Sequence, residues 1–399
     1  MQNISGSQKK NHVYDYVIVG SGLTGMLIAK NLNRVSTNIL LIESGDFFGG
    51  LNRAIKTPAG MQTNGLRFIP NTELAAKALQ FLDLTLGKTN PCNVIENPPV
   101  HYEAGGLKPF VGFGETPPAF YDQINYFTHA QSVKTEQPVY QWIQELFEST
   151  EGDFAARSYV TKFTIEDGLL TQIMVNGQKT VLAQNVIYTG PVKALRTLLP
   201  EGILRTKALQ KLSKNTYWTS ICLDLLHEKA VSTSEAMHIL NGTTEDELGP
   251  CAGSFQPPVE IDGQVRQYSQ WISFVDDESA EDTEVIGTVL KKIKRQIQRA
   301  YPDCMDNLQF ERISVVNSYA GNGDLKLSGN LTLPTVKNLW IGSASISTQT
   351  NLISALLQAE MIAAALGCHP LGTQVEFHAG KEMQLEQPEE PELSSETSP

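Results

Sequence analysis

Gly20, Gly22, Gly25 and Glu43 are the residues of this chain whose types and spacing speak most directly of chemistry. The glycines stand as G-x-G-x-x-G in VIVGSGLTGMLIAKNL, and Glu43 closes the apolar run ILLI. In such a pattern the first glycine permits a tight turn, the second lets a pyrophosphate approach the backbone, and the third lets helix and strand pack closely. A carboxylate in the place of Glu43 accepts hydrogen bonds from ribose hydroxyls and repels a 2′-phosphate. The pattern points to a dinucleotide with an unphosphorylated adenosine ribose, FAD or NAD rather than NADP.

These groups need elements to hold them. Val17–Val19 is a β-branched run that reads as a strand ending at Gly20. Met26–Leu32 continues as an amphipathic helix, whose N-terminus offers free N–H groups and partial positive charge to phosphates. Ile39–Ile42 reads as a second strand. A glycine turn alone joins any strand to any helix; the order strand, turn, helix, strand, acid is what lifts the motif above a chance match.

Other chemical candidates are fewer. Arg67, after Asn64-Gly65-Leu66, could bind an anionic substrate or be a surface arginine after a turn. His101 could act as an acid or base near neutral pH, or be an exposed loop histidine. Ala104–Glu115 (AGGLKPFVGFGE) reads as a flap over a cleft or a plain hairpin. No Ser-His-Asp arrangement or G-x-S-x-G elbow is present. Neither the seven histidines nor the five cysteines show metal-ligand spacing. The cysteines, odd in number and never C-x-x-C, argue for a reducing compartment and against a disulfide framework.

The chain of 399 residues is long enough for two domains and carries a net charge of −12. Half of that charge falls between 376 and 399, where seven glutamates face one lysine. This acidic, Pro/Ser-rich tail reads as disordered, either a solubilising extension or an interaction tail for a protein partner. No broad basic excess suits nucleic acid. The N-terminus lacks an apolar signal core, and no run reaches membrane-spanning length, so a cytoplasmic protein is expected.

Along the chain, Thr72–Leu86 reads as a helix stopped by Gly87, Lys88–Pro118 as loops and short hairpins, and Gln137–Glu148 as a helix. Three alternating strands follow from Arg157 to Tyr188, turning at Asp167-Gly168 and Asn176-Gly177. Pro191–Leu199 is a short helix; Trp218–Leu226, Gln267–Val275 and Phe310–Ser318 are strands. Asp282–Ala300 is a long helix with a basic outer face. In Asn338–Leu366 an apolar strand runs through a Gly/Ser/Thr loop into an Ala-rich helix, a second possible anion- or carbonyl-binding site.

Taken in this order the segments resemble the flavin-dependent amine oxidase, phytoene desaturase and protoporphyrinogen oxidase superfamily, from about Tyr14 to Leu366. Three stretches carry the resemblance: the opening unit through Gly49-Gly50, the strands ending in QNVIYTGPVKALRTLLP, and NLWIGSASISTQTNLISALLQAEMIAAAL. The implied fold is α/β, a Rossmann-type FAD-binding domain with a discontinuous α+β substrate domain. The FAD-binding domain is expected over 13–60, 137–215 and 325–370, and the substrate domain over 61–136 and 216–324. The tails, 1–12 and 374–399, are expected to be disordered.

The resemblance implies FAD as cofactor, held by Gly20, Gly22, Leu23, Thr24, Gly25, Glu43, Ser44, Gly50, Val160, Thr189, Gly190, Gly342, Ser343, Asn351 and Leu352. Val160 matches a position whose backbone contacts adenine, and Asn351 and Leu352 would offer N–H groups to the flavin pyrimidine. Two positions depart from the family pattern. Ser343 replaces an acid that grips the ribityl chain, and Leu51 replaces the arginine of Gly-Gly-Arg, leaving Arg53 as the next arginine. The implied activity is an FAD-dependent oxidoreductase that oxidises a small or moderately apolar substrate by hydride transfer to flavin. The alternatives are a redox-neutral flavoenzyme resembling a sugar-nucleotide mutase, and a degenerate binding or assembly module on the same fold.

Overall fold

The structure is a computed structural model that describes residues 2–3, 12–115, 120, 123–124, 127–128, 131–240, 250–306, 308–321, 325, 327–346 and 352–371. The acidic tail, most of the N-terminal segment and Asn351 lie outside these residues.

Strand Val13–Val19 sits inside a nine-stranded sheet, parallel to Ile39–Ile42 on one side and Lys179–Tyr188 on the other. Ile39–Ile42 is buried throughout, as a strand covered on both faces must be. Beyond it lie Asp153–Ala155 and Gln2–Asn3, both parallel. Lys179–Tyr188 also pairs in parallel with Val336–Ile341. Its N-terminal half closes an antiparallel meander with Leu169–Val175 and Val160–Glu166. The predicted turns supply the left-handed residues this meander needs, with Asp167 and Asn176 at φ 50° and 52° followed by glycines at 75° and 68°.

Helices Leu23–Leu32, Glu73–Leu86, Val139–Ser149 and Leu352–Ala365 pack into one core against this sheet. The opposite face packs on Leu195, Leu198, Leu204 and Leu212. Helix Glu73–Leu86 starts where the Thr72 hydroxyl accepts from the Ala75 N–H at 3.2 Å, and it stops at Gly87 with φ 69°.

A second sheet of eight strands runs in the order Leu308–Gly321, Tyr217–His227, Gln264–Asp276, Cys251–Phe255, His238–Leu240, Val100–Glu103, Gly106–Pro109, with Val259–Ile261 beside Gln264–Asp276. Helix Thr283–Ala300, capped by the Asp282 carboxylate on the Glu284 N–H, packs Val289, Ile293 and Ile297 on one face. The other face is apolar and aromatic and meets Leu66 and Phe68. The whole is thus the mixed α/β architecture expected: a Rossmann-type sheet with a separate second sheet.

Sequence periodicity misses Asp153–Ala155, Thr206–Lys214 and the hairpin of Ala54–Thr57 with Gly60–Thr63. The first is three residues long, and the helix Thr206–Lys214 runs for only nine residues and buries only Leu212, so each is too short for its pattern to stand out. The first half of 104–115 supplies the turn and second strand of a hairpin whose first strand is Val100–Glu103, with His101 opposite Lys108. Among the described residues no helix is long and apolar enough to cross a membrane, and no cluster suits a metal ion.

Candidate functional site

Val13–Val19, Ile39–Ile42, Lys179–Tyr188 and Val336–Ile341 end at one edge of the first sheet, where open α/β folds receive ligands. The three motif glycines meet there for different reasons. Gly20 has φ 109°, and a Cβ on it would lie 2.4 Å from Thr189 Oγ1. A Cβ on Gly25 would lie 2.0 Å from the Gly20 carbonyl oxygen, so strand and helix could not pack as they do. A Cβ on Gly22 would meet nothing within 4 Å. The protein itself requires the first and third glycines; the second leaves free space at the start of a helix. Helix Leu23–Leu32 has Gly22 as its N-cap and no side-chain cap, which leaves first-turn N–H groups for another acceptor.

The second glycine loop packs on this turn. The Gly49 N–H donates to the Ser21 carbonyl at 2.8 Å, and Gly49 forms a bridge with Gly22. Gly50, at φ 53°, brings its backbone so close that a Cβ would lie 3.1 Å from Gly22 Cα. Glu43 is anchored between the same elements. Its Oε2 accepts from the Ser21 N–H at 3.0 Å and from the Ser21 hydroxyl; its Oε1 accepts from the Gly45 N–H at 2.8 Å and the Ser44 hydroxyl at 3.2 Å. The Glu43 carbonyl accepts from the Ser158 N–H at 2.8 Å, which brings Val160, two residues on, to this side of the site.

Thr189 and Gly190 extend from the neighbouring strand. The Thr189 hydroxyl donates to the carbonyls of Val19 and Gly20 at 3.0 and 3.2 Å. A Cβ on Gly190 would lie 2.7 Å from the Tyr188 hydroxyl oxygen. Gly342 follows the last strand, its N–H donating to the Tyr188 carbonyl at 2.9 Å, between Ile28 and Ile362. Leu23 and Thr24 are buried, and the Thr24 hydroxyl donates to the Ala355 carbonyl at 3.2 Å. Their side chains tie the two helices together, so only their backbones can serve a ligand.

Ser343 spends its hydroxyl within the protein. It is 1% exposed, and its hydroxyl lies 2.8 Å from that of Ser345 and accepts from the Ser345 N–H. Ser345 in turn accepts from the Val192 N–H at 3.0 Å. The two serines stitch the loop after Val336–Ile341 to the loop after Lys179–Tyr188. Leu352 is buried in the helical core, and Asn351 lies outside the described residues.

Arg67 also serves the protein. Its guanidinium donates to the Asn52 Oδ1 at 2.6 Å, the Leu66 carbonyl at 2.7 Å and the Leu51 carbonyl. It thereby pins the loop that carries Gly49-Gly50. Arg53 is exposed, and it joins this loop through its backbone, its N–H donating to the Gly50 carbonyl at 3.4 Å and its carbonyl accepting from the Asn64 N–H at 3.1 Å. His101 sits on the outer hairpin of the second sheet, its Nε2 3.8 Å from Glu103 and its ring edge-on to Phe110. It is thus on the second sheet, apart from the glycine turn.

A polar row on the second sheet continues the Arg67 contacts. Asp224 is fully buried and stands opposite Gln270 on one neighbouring strand and Arg312 on the other. Arg312 donates to Asp224 at 2.9 Å and to Asn64 Oδ1 at 2.6 Å; Gln270 donates to Asp224 at 3.1 Å and to the Thr63 carbonyl at 3.0 Å. Burial pushes the Asp224 carboxyl above the ordinary carboxylate range, against the opposing pull of Gln270 and Arg312. Beside it, burial raises the Cys222 thiol to about 11, so that residue is no ready nucleophile. Around this row lie Leu66, Phe68, Ile272, Phe274 and Tyr319.

A second joint runs through Asp277. It accepts from Lys193 at 2.9 Å, Thr219 at 2.8 Å and the Ser318 N–H at 2.9 Å. Burial alone would raise this carboxyl, but the hydrogen bonds from Ser318, Lys193 and Thr219 outweigh it and hold it below its usual range. Sequence reading does not find Asp224, Gln270, Arg312 or Asp277, because strand register brings them together. Ser21 was within reach: it lies inside the glycine motif, one residue from Gly20.

Comparison with known proteins agrees with this geometry. A family model described as an NAD(P)-binding Rossmann-like domain matches residues 18–82. No curated protein matches the chain by sequence. Among solved structures, an oxidoreductase from Methanosarcina mazei aligns over 86% of this chain and 98% of its own, with 12% identity and a TM-score of 0.61. Cyclohexylamine oxidase from Brevibacterium oxydans aligns over 89% and 99%, with 11% identity and a TM-score of 0.60. Putrescine oxidase in complex with putrescine aligns over 89% and 99%, with 13% identity and a TM-score of 0.62. The chain therefore has the amine oxidase-like fold implied by its sequence motifs, over nearly its whole described length.

Proposed function

We propose that the chain is an FAD-dependent oxidoreductase that oxidises a small or moderately apolar molecule. The observation that carries this reading is Gly22. It opens free space at an uncapped helix N-terminus, beside a glutamate and at the carboxyl ends of parallel strands. A pyrophosphate suits that space because backbone N–H groups and the helix dipole both favour negative charge. Glu43 would hold the adenosine ribose, the turn from Gly20 to Gly25 the phosphates, and the Gly50 and Gly190 backbones would border them.

A bound flavin supplies the hydride acceptor. The protein's part is to hold the substrate and keep water away. Phe68, Phe274 and Tyr319 belong to a largely buried aromatic cluster beside a polar row in which Arg312 pairs with Asp224. A neutral, apolar substrate suits such surroundings better than an ion. The oxidase chemistry of the proteins sharing the fold supports the same reading.

A second reading, a binding module on a flavoprotein fold, is favoured by Ser343, whose hydroxyl is already engaged with Ser345. The absorbance spectrum of the purified chain separates the two. Flavin absorbance near about 450 nm, bleached on adding substrate or dithionite, is the expected result. A colourless protein that takes up no FAD on titration rules out the oxidoreductase.

A further inference from the structure

An ionised carboxylate offers about four acceptor positions, two on each oxygen. On Glu43 all four face protein donors. Oε2 receives both the N–H and the hydroxyl of Ser21. Oε1 receives the Gly45 N–H at 2.8 Å and the Ser44 hydroxyl at 3.2 Å. The four donors are not equally replaceable. Ser21 is 0% exposed and fixed in the turn between Gly20 and Gly22, so its hydroxyl stays with Glu43 whether or not a ligand is present. The Gly45 N–H is backbone. Ser44 is exposed and makes the longest of these bonds, so its hydroxyl can rotate away.

We infer that Ser21 is a positioning residue that commits one Glu43 oxygen to the glycine turn, so the site reads the adenosine ribose through Oε1 alone. The inference rests on the nucleotide reading of the site and sharpens it. A carboxylate with both oxygens free grips a vicinal diol through both hydroxyls. Here one hydroxyl replaces Ser44 on Oε1, and the other finds no open acceptor on Glu43. The site should therefore depend strongly on one ribose hydroxyl and weakly on the other. The Ser21 hydroxyl does the orienting, because it is buried and makes a shorter bond to the carboxylate than the exposed Ser44 hydroxyl does.

Calorimetric titration of the full chain with ADP, 2′-deoxy-ADP and 3′-deoxy-ADP tests this. One deoxy analogue should bind within about twofold of ADP and the other about tenfold more weakly, the loss expected for one charge-assisted hydrogen bond. In Ser21→Ala, Oε2 regains an open position. ADP should then bind about three- to tenfold tighter, and both deoxy analogues should fall behind it. Equal losses for the two analogues on the unaltered chain overturn the inference, as does no loss for either. An unchanged pattern in Ser21→Ala overturns it too. If Ser21→Ala does not fold, the analogue series on the unaltered chain decides by itself. Failure of ADP to bind at all is a different outcome: it removes the nucleotide reading, and this inference with it.

Discussion

Two loops flank the same sheet edge, and they spend their polar groups in opposite ways. The turn from Gly20 to Gly25 keeps an uncapped helix N-terminus and an open space at Gly22. In the described part of the loop after Val336–Ile341, Ser343 is turned onto Ser345 and Ser345 onto Val192. The first loop leaves helix N–H groups and space that no side chain of the protein caps or fills. In the second, the described hydroxyls of Ser343 and Ser345 already have partners within the protein. The comparison teaches that a motif's residues divide into those the fold needs and those a ligand needs, and that only the latter speak of function. Gly25 belongs to the first kind, and on the proposed function Gly22 belongs to the second.

Replacing each of those two glycines with alanine is the strongest way to break that division. In Gly25→Ala the new methyl group meets the Gly20 carbonyl, a backbone atom that cannot move aside. The expected cost exceeds about 4 kcal/mol, a severe overpacking loss seen as a collapsed thermal unfolding midpoint or insoluble protein. In Gly22→Ala the methyl group meets no protein atom, so the midpoint should hold within a few degrees while ADP and FAD affinity falls at least about tenfold by steric exclusion. Should Gly22→Ala bind nucleotide normally, the space at Gly22 is not a phosphate cradle.

Arg67 offers the next largest effect. Removing its guanidinium in Arg67→Ala strands the Leu66 carbonyl and Asn52 Oδ1 and leaves the Leu51 carbonyl to the Asn64 amide alone. A loss of about 3–4 kcal/mol is expected from those half-buried acceptors, together with weaker nucleotide binding, because the loop that bears Gly49-Gly50 loses its pin. Arg67→Lys cannot reproduce the planar fork and should recover less than half of the loss. An arginine that bound an anionic substrate would instead raise KM and leave the unfolding midpoint and nucleotide affinity in place. Denaturant unfolding alongside ADP titration distinguishes the two.

What could be read from sequence follows the same divide between local and distant causes. The glycine motif, the Thr72 cap with its Gly87 stop, and the Asn176-Gly177 turn were legible because backbone geometry over a few residues dictates the residue types. The partnership of Asp224, Gln270 and Arg312 was not, since it arises from the register of three strands separated by long stretches of chain. Arg67 was legible as a residue of interest but not as a structural pin; only the folded loop shows which carbonyls its fork meets. The departure at Ser343 was legible too, yet the sequence left its hydroxyl free for a ligand where folding gives it to Ser345.

The second sheet adds a contrast in the response to acid. His238 is buried between that sheet and Tyr301, whose hydroxyl its Nε2 meets, and burial lowers its pKa to about 4. In the unfolded chain a histidine protonates near about 6.5. Below that pH the unfolded state takes up a proton that the folded state refuses. The stability present above about pH 6.5 is therefore lost as pH falls toward about 4, and this group contributes no further loss below. The loss should reach about 3 kcal/mol. His238→Gln should flatten the slope of unfolding free energy between those pH values. Since His227 is lowered by burial in the same region, part of the slope should remain. An unchanged slope in the variant would place the acid sensitivity elsewhere.

The smallest expected effect probes the inward-turned loop itself. If Ser343 serves the protein, Ser343→Ala removes one buried hydrogen bond and leaves the Ser345 hydroxyl and N–H short of a partner, a cost of about 1–2 kcal/mol. FAD affinity, measured by quenching of flavin fluorescence, should change less than about twofold, because a hydroxyl already committed within the protein has little to give a ribityl chain. If Ser343 instead turns toward a bound flavin, the same variant should keep its unfolding midpoint, with Ser345 still held by Val192, and lose about tenfold in FAD affinity while ADP affinity stays put. The ratio of FAD to ADP affinity is the sharper readout, since it cancels whatever happens at Glu43 and Gly22. A ratio near one in both the unaltered chain and the variant means that the adenosine end supplies nearly all of the binding energy. A ratio that collapses in the variant restores to this loop the ligand role its hydrogen bonds argue against.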